Sequence, residues 1–112
     1  MKNSYKKPFR LKSQKDIVFL LRQGARWKSD IFTVIYHPNS LEQDRFNVLI
    51  SKKNGGAVER VRIKRIYREA YITTEVGAGQ YYDILIRPFY NVEHTFHKVQ
   101  ELYGYWRTEV LS

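Results

Sequence analysis

The sequence predicts a single domain of α+β or mixed α/β class, with helices packed on a small mixed sheet. Three observations carry this. A strand-like run over residues 45–51, a helical span over about 57–74 and a second strand-like run over 81–86 follow one another, the order of a parallel crossover. Apolar residues recur at helical spacing near both ends of the chain. Finally, 112 residues with no internal repeat, low-complexity tract or linker fit one compact domain, 1–112, and leave no room for two.

The elements follow in order. Residues 1–12 carry Lys2, Lys6, Lys7, Arg10 and Lys12 without an acid and with Pro8 among them, which reads as an irregular basic arm. Ser13 is an N-cap residue for a helix over about 14–23, and Gly24 suits the C′ position that stops it. Ile17, Leu20 and Leu21 give that helix one apolar stripe. Residues 31–36 are a run of β-formers bounded by Asp30 and Pro38-Asn39-Ser40. In 45–51, Phe46, Val48 and Ile50 share one strand face, and the loop between the two runs suits a hairpin. Gly55-Gly56 breaks the chain before the 57–74 helix, whose buried stripe is expected to be Ile63, Ile66 and Ala70, and Gly77-Ala78-Gly79 ends the segment. Pro88 closes the 81–86 strand. Val92, Phe96, Val99, Leu102, Tyr103 and Trp106 then recur every three or four residues, so 92–111 is expected to be a final helix.

Composition narrows the function. With 43% hydrophobic and 15% aromatic residues, the chain is too apolar for a disordered tail. Its longest apolar run, 17–21, is far short of the roughly 20 residues a membrane span needs. Lys2, Lys6, Lys7 and Arg10 lead into no apolar stretch of signal-peptide length, so a cytoplasmic location without a membrane partner is expected. Cysteine is absent, which excludes disulfides, thiolate zinc sites and cysteine nucleophiles. Twenty Lys and Arg against 11 Asp and Glu give a net charge of +9 and point to a polyanionic partner, nucleic acid first. Membrane surfaces and acidic proteins come behind nucleic acid as partners for such a charge.

The position of the charge says more than its sum. Lys52, Lys53, Arg60, Arg62, Lys64, Arg65 and Arg68 fall within 52–68, with Glu59 the only acid. At about 100° per residue, Arg60, Lys64 and Arg68 form an i, i+4 row placed opposite the apolar stripe, with Arg62 and Arg65 fanning from it. Such a row repels itself by a few tenths of a kcal/mol per adjacent pair. A row of phosphates reverses the sign, because each neutralised phosphate releases counterions. Gly55-Gly56 adds free backbone donors at the helix start. No Ser/His/Asp triad or phosphate-binding loop is present. Asp16, Asp30, Asp44 and Asp83 are scattered, and Glu93, His94, His97 and His37 read as surface or boundary residues rather than metal ligands. This chain is therefore not expected to cut RNA unaided.

The stretch Lys52-Lys53-Asn54-Gly55-Gly56-Ala57-Val58-Glu59-Arg60-Val61-Arg62-Ile63-Lys64-Arg65-Ile66-Tyr67-Arg68-Glu69 resembles the signature of the bacterial ribonuclease P protein subunit. That pattern is Lys-Lys-x-Gly-x-Ala-Val-x-Arg-Asn-Arg-x-Lys-Arg-x-x-Arg-Glu, and every fixed position matches except the Asn, which is Val61 here. Phe9-Arg10-Leu11-Lys12, the 16–24 helix, the strand running into Pro38-Asn39, the strand before Lys52 and the 82–87 strand also fall where the family has equivalents.

The resemblance implies an α/β sandwich: a small mixed sheet, an N-terminal helix, a long basic helix in a left-handed crossover and a C-terminal helix. It implies the accessory subunit of a magnesium-dependent endoribonuclease that removes the 5′ leader from precursor tRNA. Catalysis and the Mg2+ ions would belong mainly to the RNA subunit, with no organic cofactor. Arg60, Arg62, Lys64, Arg65 and Arg68, flanked by Lys52 and Lys53, would contact ribonuclease P RNA. A cleft between the first helix and the sheet would hold the precursor tRNA leader, with Phe19 and Tyr36 as stacking faces and Lys12 and Lys15 at the rim. The first-helix positions that are typically Phe in the family are Ile17 and Leu21 here. The alternative is a general RNA-binding or ribosome-associated module using the same helix with no leader function; preference for precursor over mature tRNA separates the two.

Overall fold

A computed structural model describes residues 9–74 and 80–111. The basic arm before Phe9 and the Gly77-Ala78-Gly79 stop lie outside the described residues. In chain order the elements are β1 (Phe9–Arg10), α1 (Gln14–Gln23), β2 (Ala25–Lys28), β3 (Phe32–Asn39), β4 (Arg45–Val48), a 3₁₀ turn (Lys52–Asn54), α2 (Ala57–Ile72), β5 (Tyr81–Pro88), α3 (Phe96–Tyr105) and a π-helical turn (Trp106–Val110). The five strands form one mixed sheet in the order β1-β4-β5-β3-β2.

Side-chain alternation along the strands divides the core in two. Phe32, Val34, Phe46, Val48, Ile84 and Ile86 meet Ile63, Tyr67 and Tyr71 of α2 and Val99 and Tyr103 of α3. Ile35 and Leu85, of opposite parity, meet Leu11 and Leu20 in a second cluster beneath α1. The sheet thus carries α2 and α3 on one face and α1 on the other, an α+β sandwich. Arg45 braces the α1 face: its guanidinium donates to both carboxylate oxygens of Asp83, at 2.8 and 2.6 Å, and to Asp16 of α1 at 3.1 Å. This pairing, with Asp83 foremost, raises the Arg45 pKa further.

The expected crossover is present, since β4 and β5 are parallel neighbours joined through α2. The expected hairpin is not. β3 and β4 do not touch, because β5 lies between them, antiparallel to β3 and parallel to β4. Two short strands go beyond the sequence reading: β1, from the supposedly irregular arm, pairs parallel to β4, and β2 pairs antiparallel to β3. The last helix begins later than expected, at Phe96 behind the Thr95 N-cap. Gly24 does end α1, but in extended conformation (φ −71°). What requires glycine there is space, because a Cβ would lie 2.7 Å from the Leu20 carbonyl oxygen and 2.9 Å from Ile35.

His94 is buried rather than a surface residue, and that burial disfavours its charged form. Nδ1 lies 2.7 Å from the Tyr67 hydroxyl and Nε2 lies 3.1 Å from the Phe89 carbonyl oxygen. With Nε2–H donating to that carbonyl, Nδ1 accepts the Tyr67 proton. Burial, aided by the Arg62 charge, lowers the His94 pKa, while the Phe89 carbonyl opposes this. The unfolded chain therefore takes up this proton first. The contribution to stability is complete above the ordinary histidine range, about pH 6.5, and declines as pH falls through it. Urea unfolding at pH 7.5 and 5.5 should show a larger loss of stability in the wild type than in His94→Gln. Equal losses would mean His94 does not report on folding.

Candidate nucleic-acid interface

The site is built around α2. Its buried residues are Ile63, Tyr67, Ala70 and Tyr71, whereas Ile66 is only partly covered. The two tyrosines move the centre of the buried face by about 50° from the stripe expected of Ile63, Ile66 and Ala70. Arg60, Lys64 and Arg68 consequently flank the buried face, about 75° from its centre, instead of lying opposite it. They run alongside the β4–β1 edge of the sheet, where Lys64 and Arg68 share a recess with Phe9, Arg10 and Val48. The outermost residues are Val58, 85% exposed, Val61, 59% exposed, and Arg65.

Arg60, Lys64, Arg65 and Arg68 enter no ion pair among the described residues; Arg60 donates one long bond, 3.4 Å, to the Gly56 carbonyl. Arg62 is different. It lies on the other flank of α2, paired with Glu59 at 2.7 Å and reaching the His94 carbonyl at 3.4 Å. The hydrogen bond to Arg62 holds the Glu59 carboxyl below its usual range. The structure therefore brings four of the five helix cations into one continuous surface and sets Arg62 apart.

Lys52 and Lys53 occupy the 3₁₀ turn just before α2. Ser51 and Asn54 cap that turn reciprocally, and Asn54 also donates to the carbonyls of Pro88 and Phe89, so the turn is tied to the end of β5. Gly55 follows with φ +122°, a conformation suited to glycine, and a Cβ there would also meet Glu59 at 3.0 Å. Lys53 lies over the Tyr90 ring, 5.7 Å from its centroid.

The leader-cleft candidates divide. Lys15 and Phe19 line a shallow depression on α1 with Val18, Arg22, Gln23 and His37, and Phe19 sits edge-on to His37 at 5.1 Å. Lys12 is exposed just before α1. Tyr36 does not join them: it packs on Trp106 and Tyr82, on the sheet face opposite α1. Strand parity is the reason, since Tyr36 shares the face of Phe32 and Val34. Ile17 and Leu21 are partly buried against Leu20, Ile35 and Leu85.

A second group escaped the sequence reading. Arg26, Lys28 and Arg87 border a groove of about 720 Å³ with Thr33, Phe89 and Tyr90, and Lys28 lies 5.6 Å from the centre of the Phe89 ring. Cross-strand register puts Arg26 opposite Ile35 and Lys28 opposite Thr33, hence on the α1 face. The alternation of Arg26, Trp27 and Lys28 was the available signal. Among the described residues no three His, Asp or Glu side chains gather as a metal site would need, and no helix is long and apolar enough to cross a membrane.

Comparison with known proteins bears on this surface. A family model described as Ribonuclease P matches residues 5–105. The ribonuclease P protein component of Petrotoga mobilis is 29% identical over 109 residues, covering 97% of this chain and 91% of that protein. That of Dictyoglomus turgidum is 33% identical over 101 residues, covering 88% and 85%. In fold, the chain is similar to the RNase P protein of Staphylococcus aureus, with a TM-score of 0.74 at 23% identity, covering 95% of this chain and all of that one.

Proposed function

The chain belongs to the ribonuclease P protein family, and from that premise we propose that it binds the catalytic RNA through one side of α2 and the 5′ leader of precursor tRNA across the α1 face of the sheet, so that the RNA removes the leader. The observation that carries this reading is the set of four cations, Arg60, Lys64, Arg65 and Arg68, which have no carboxylate partner among the described residues and lie together on α2. Phosphates are the partner such a surface lacks. Lys52 and Lys53 extend it toward the start of the helix. Arg62, already neutralised by Glu59, contributes less charge than its neighbours.

On the α1 face, Arg26, Lys28 and Arg87 would follow the leader backbone while Phe89 and Tyr90 offer ring faces to unstacked bases. Lys12, Lys15 and Phe19 lie on the same side. Magnesium, in this reading, is held by the RNA, and the protein's part is to gather cationic charge where two polyanions meet, lowering their mutual repulsion. This makes it a cytoplasmic subunit of an endoribonuclease rather than a nuclease in itself. Joined to its cognate RNA, the protein should raise affinity for precursor tRNA over mature tRNA. Equal gains for both would make it a general RNA binder.

Val61 stands in the middle of the cationic side, where no packing calls for an apolar residue. Asn can donate and accept hydrogen bonds; Val can do neither. Val61→Asn should therefore tighten RNA binding by about 0.5–1.5 kcal/mol while changing stability by less than about 0.5 kcal/mol. Filter binding beside a thermal melt checks both, and unchanged affinity would mark the position as silent.

A further inference from the structure

The edge strand β1 brings one cation to the α2 face of the sheet. Its register with β4 pairs Phe9 with Arg45 and Arg10 with Phe46. Phe46 is buried beneath α2, stacked on Tyr71 at 4.6 Å, whereas Arg45 reaches Asp16 on the α1 face. Residues paired in register share a face, so Phe9 turns toward α1 and Arg10 toward α2. Tyr71 belongs to the last turn of α2, which sets Arg10 level with Arg68 and Ile72 and about one turn from Lys64. Arg10, Lys64 and Arg68 border one recess of about 80 Å³, whose apolar walls are Phe46, Val48 and Ile72.

The main chain of β1 is tied on both sides of Arg10. The Phe9 N–H donates to the Asp44 carbonyl at 2.9 Å and the Leu11 N–H to the Phe46 carbonyl at 3.0 Å. The Leu11 side chain is fully buried, and its carbonyl accepts the Asn47 amide at 2.7 Å. Arg10, Lys64 and Arg68 enter no ion pair among the described residues. The Asp44 carboxylate does not serve them, being committed to Tyr71, Arg107 and the Tyr82 amide.

We propose that Arg10 is a further RNA-contacting residue, which holds one backbone phosphate together with Arg68 at this recess while Lys64 meets the neighbouring phosphate. The proposal rests on the reading of α2 as an RNA-binding surface and extends that surface onto β1. The space is several times what a water molecule needs yet far below the 300 Å³ or more of a drug-sized pocket, so it admits only a compact group. Cations of one sign beside apolar walls focus their field on an anion. A guanidinium from each side of the recess offers paired N–H donors, which suit phosphate oxygens. The ties on either side of Arg10 pre-position it, so less freedom is lost on binding.

The test measures affinity of the full-length protein for cognate ribonuclease P RNA over a salt series, for the wild type, Arg10→Gln, Arg68→Gln and the double variant. Arg10 is exposed and unpaired, so its replacement should leave the thermal melt unchanged. Each single variant should weaken binding by about fivefold or more. Because the two side chains share one phosphate, the double variant should fall short of the product of the single losses by about threefold or more. Its slope of log affinity against log salt should drop by about 0.7–0.9, the contribution of one phosphate. Arg22→Gln, on the exposed side of α1, is the control and should show no such coupling to Arg68→Gln. Wild-type affinity in Arg10→Gln would overturn the proposal. So would double-variant losses that equal or exceed the product, a slope reduced by two phosphates, or the same coupling with Arg22. If wild-type binding lacked salt dependence altogether, the underlying reading of α2 would fail instead.

Discussion

Replacing Arg60, Lys64, Arg65 and Arg68 together by Ala should lower the affinity for ribonuclease P RNA by about a hundredfold or more at physiological salt and flatten its salt dependence. Each cation that meets a phosphate adds about 0.7–0.9 to the slope of log affinity against log salt, so four contribute roughly 3. Folding should not suffer. None of the four pairs with a carboxylate among the described residues, and their removal relieves like-charge repulsion along the helix. Ala is also the best helix former. A thermal melt equal to or above the wild type, beside a flattened salt slope, is the expected pair of results. A slope that stays steep would place the RNA on another surface.

The largest expected loss of stability lies elsewhere, at Asp44. This carboxylate is 4% exposed and accepts the Tyr71 hydroxyl at 2.5 Å, the Arg107 guanidinium at 2.5 Å and the Tyr82 amide at 2.8 Å. Arg107 also bonds to the Tyr71 hydroxyl. The group joins α2, β5 and the turn after α3, so it latches the C-terminal segment onto the core. Asp44→Ala leaves the Arg107 charge buried with no counterion and should cost about 3–5 kcal/mol. Adding Arg107→Leu should restore part of that loss, because the uncompensated charge is then gone. Urea unfolding of the single and double variants measures both. If the single variant lost less than about 1 kcal/mol, the latch would have little energetic weight.

Much of this was legible in the sequence because it is local. Ser13, Gly55-Gly56 and the apolar spacing mark α1 and α2, and the β4–α2–β5 order implies a parallel pair. What was not legible depends on partners distant in the chain. Nothing local says that β5 should enter between β3 and β4, nor that Phe9 and Arg10 find a strand to pair with. Tyr36 shows the same limit, since Ile35 and Tyr36 are both apolar enough for either face and only the completed sandwich decides which lies under α1. Tyr67 and Tyr71 are the costliest omission at the site. They lie outside the stripe expected of Ile63, Ile66 and Ala70, yet their rings fill the core against Phe32 and Phe46 and turn the cationic row toward the β1 edge. The pairing of Arg62 with Glu59 was within reach, being an i, i+3 neighbour of opposite sign.

Cleavage of a precursor tRNA by the cognate RNA at low magnesium, with and without the protein, tests the central claim most directly. Cleavage should rise sharply on adding the wild-type protein and remain near the RNA-alone level with the variant lacking Arg60, Lys64, Arg65 and Arg68. Equal stimulation by the two proteins would contradict the assignment of this cationic surface to the catalytic RNA.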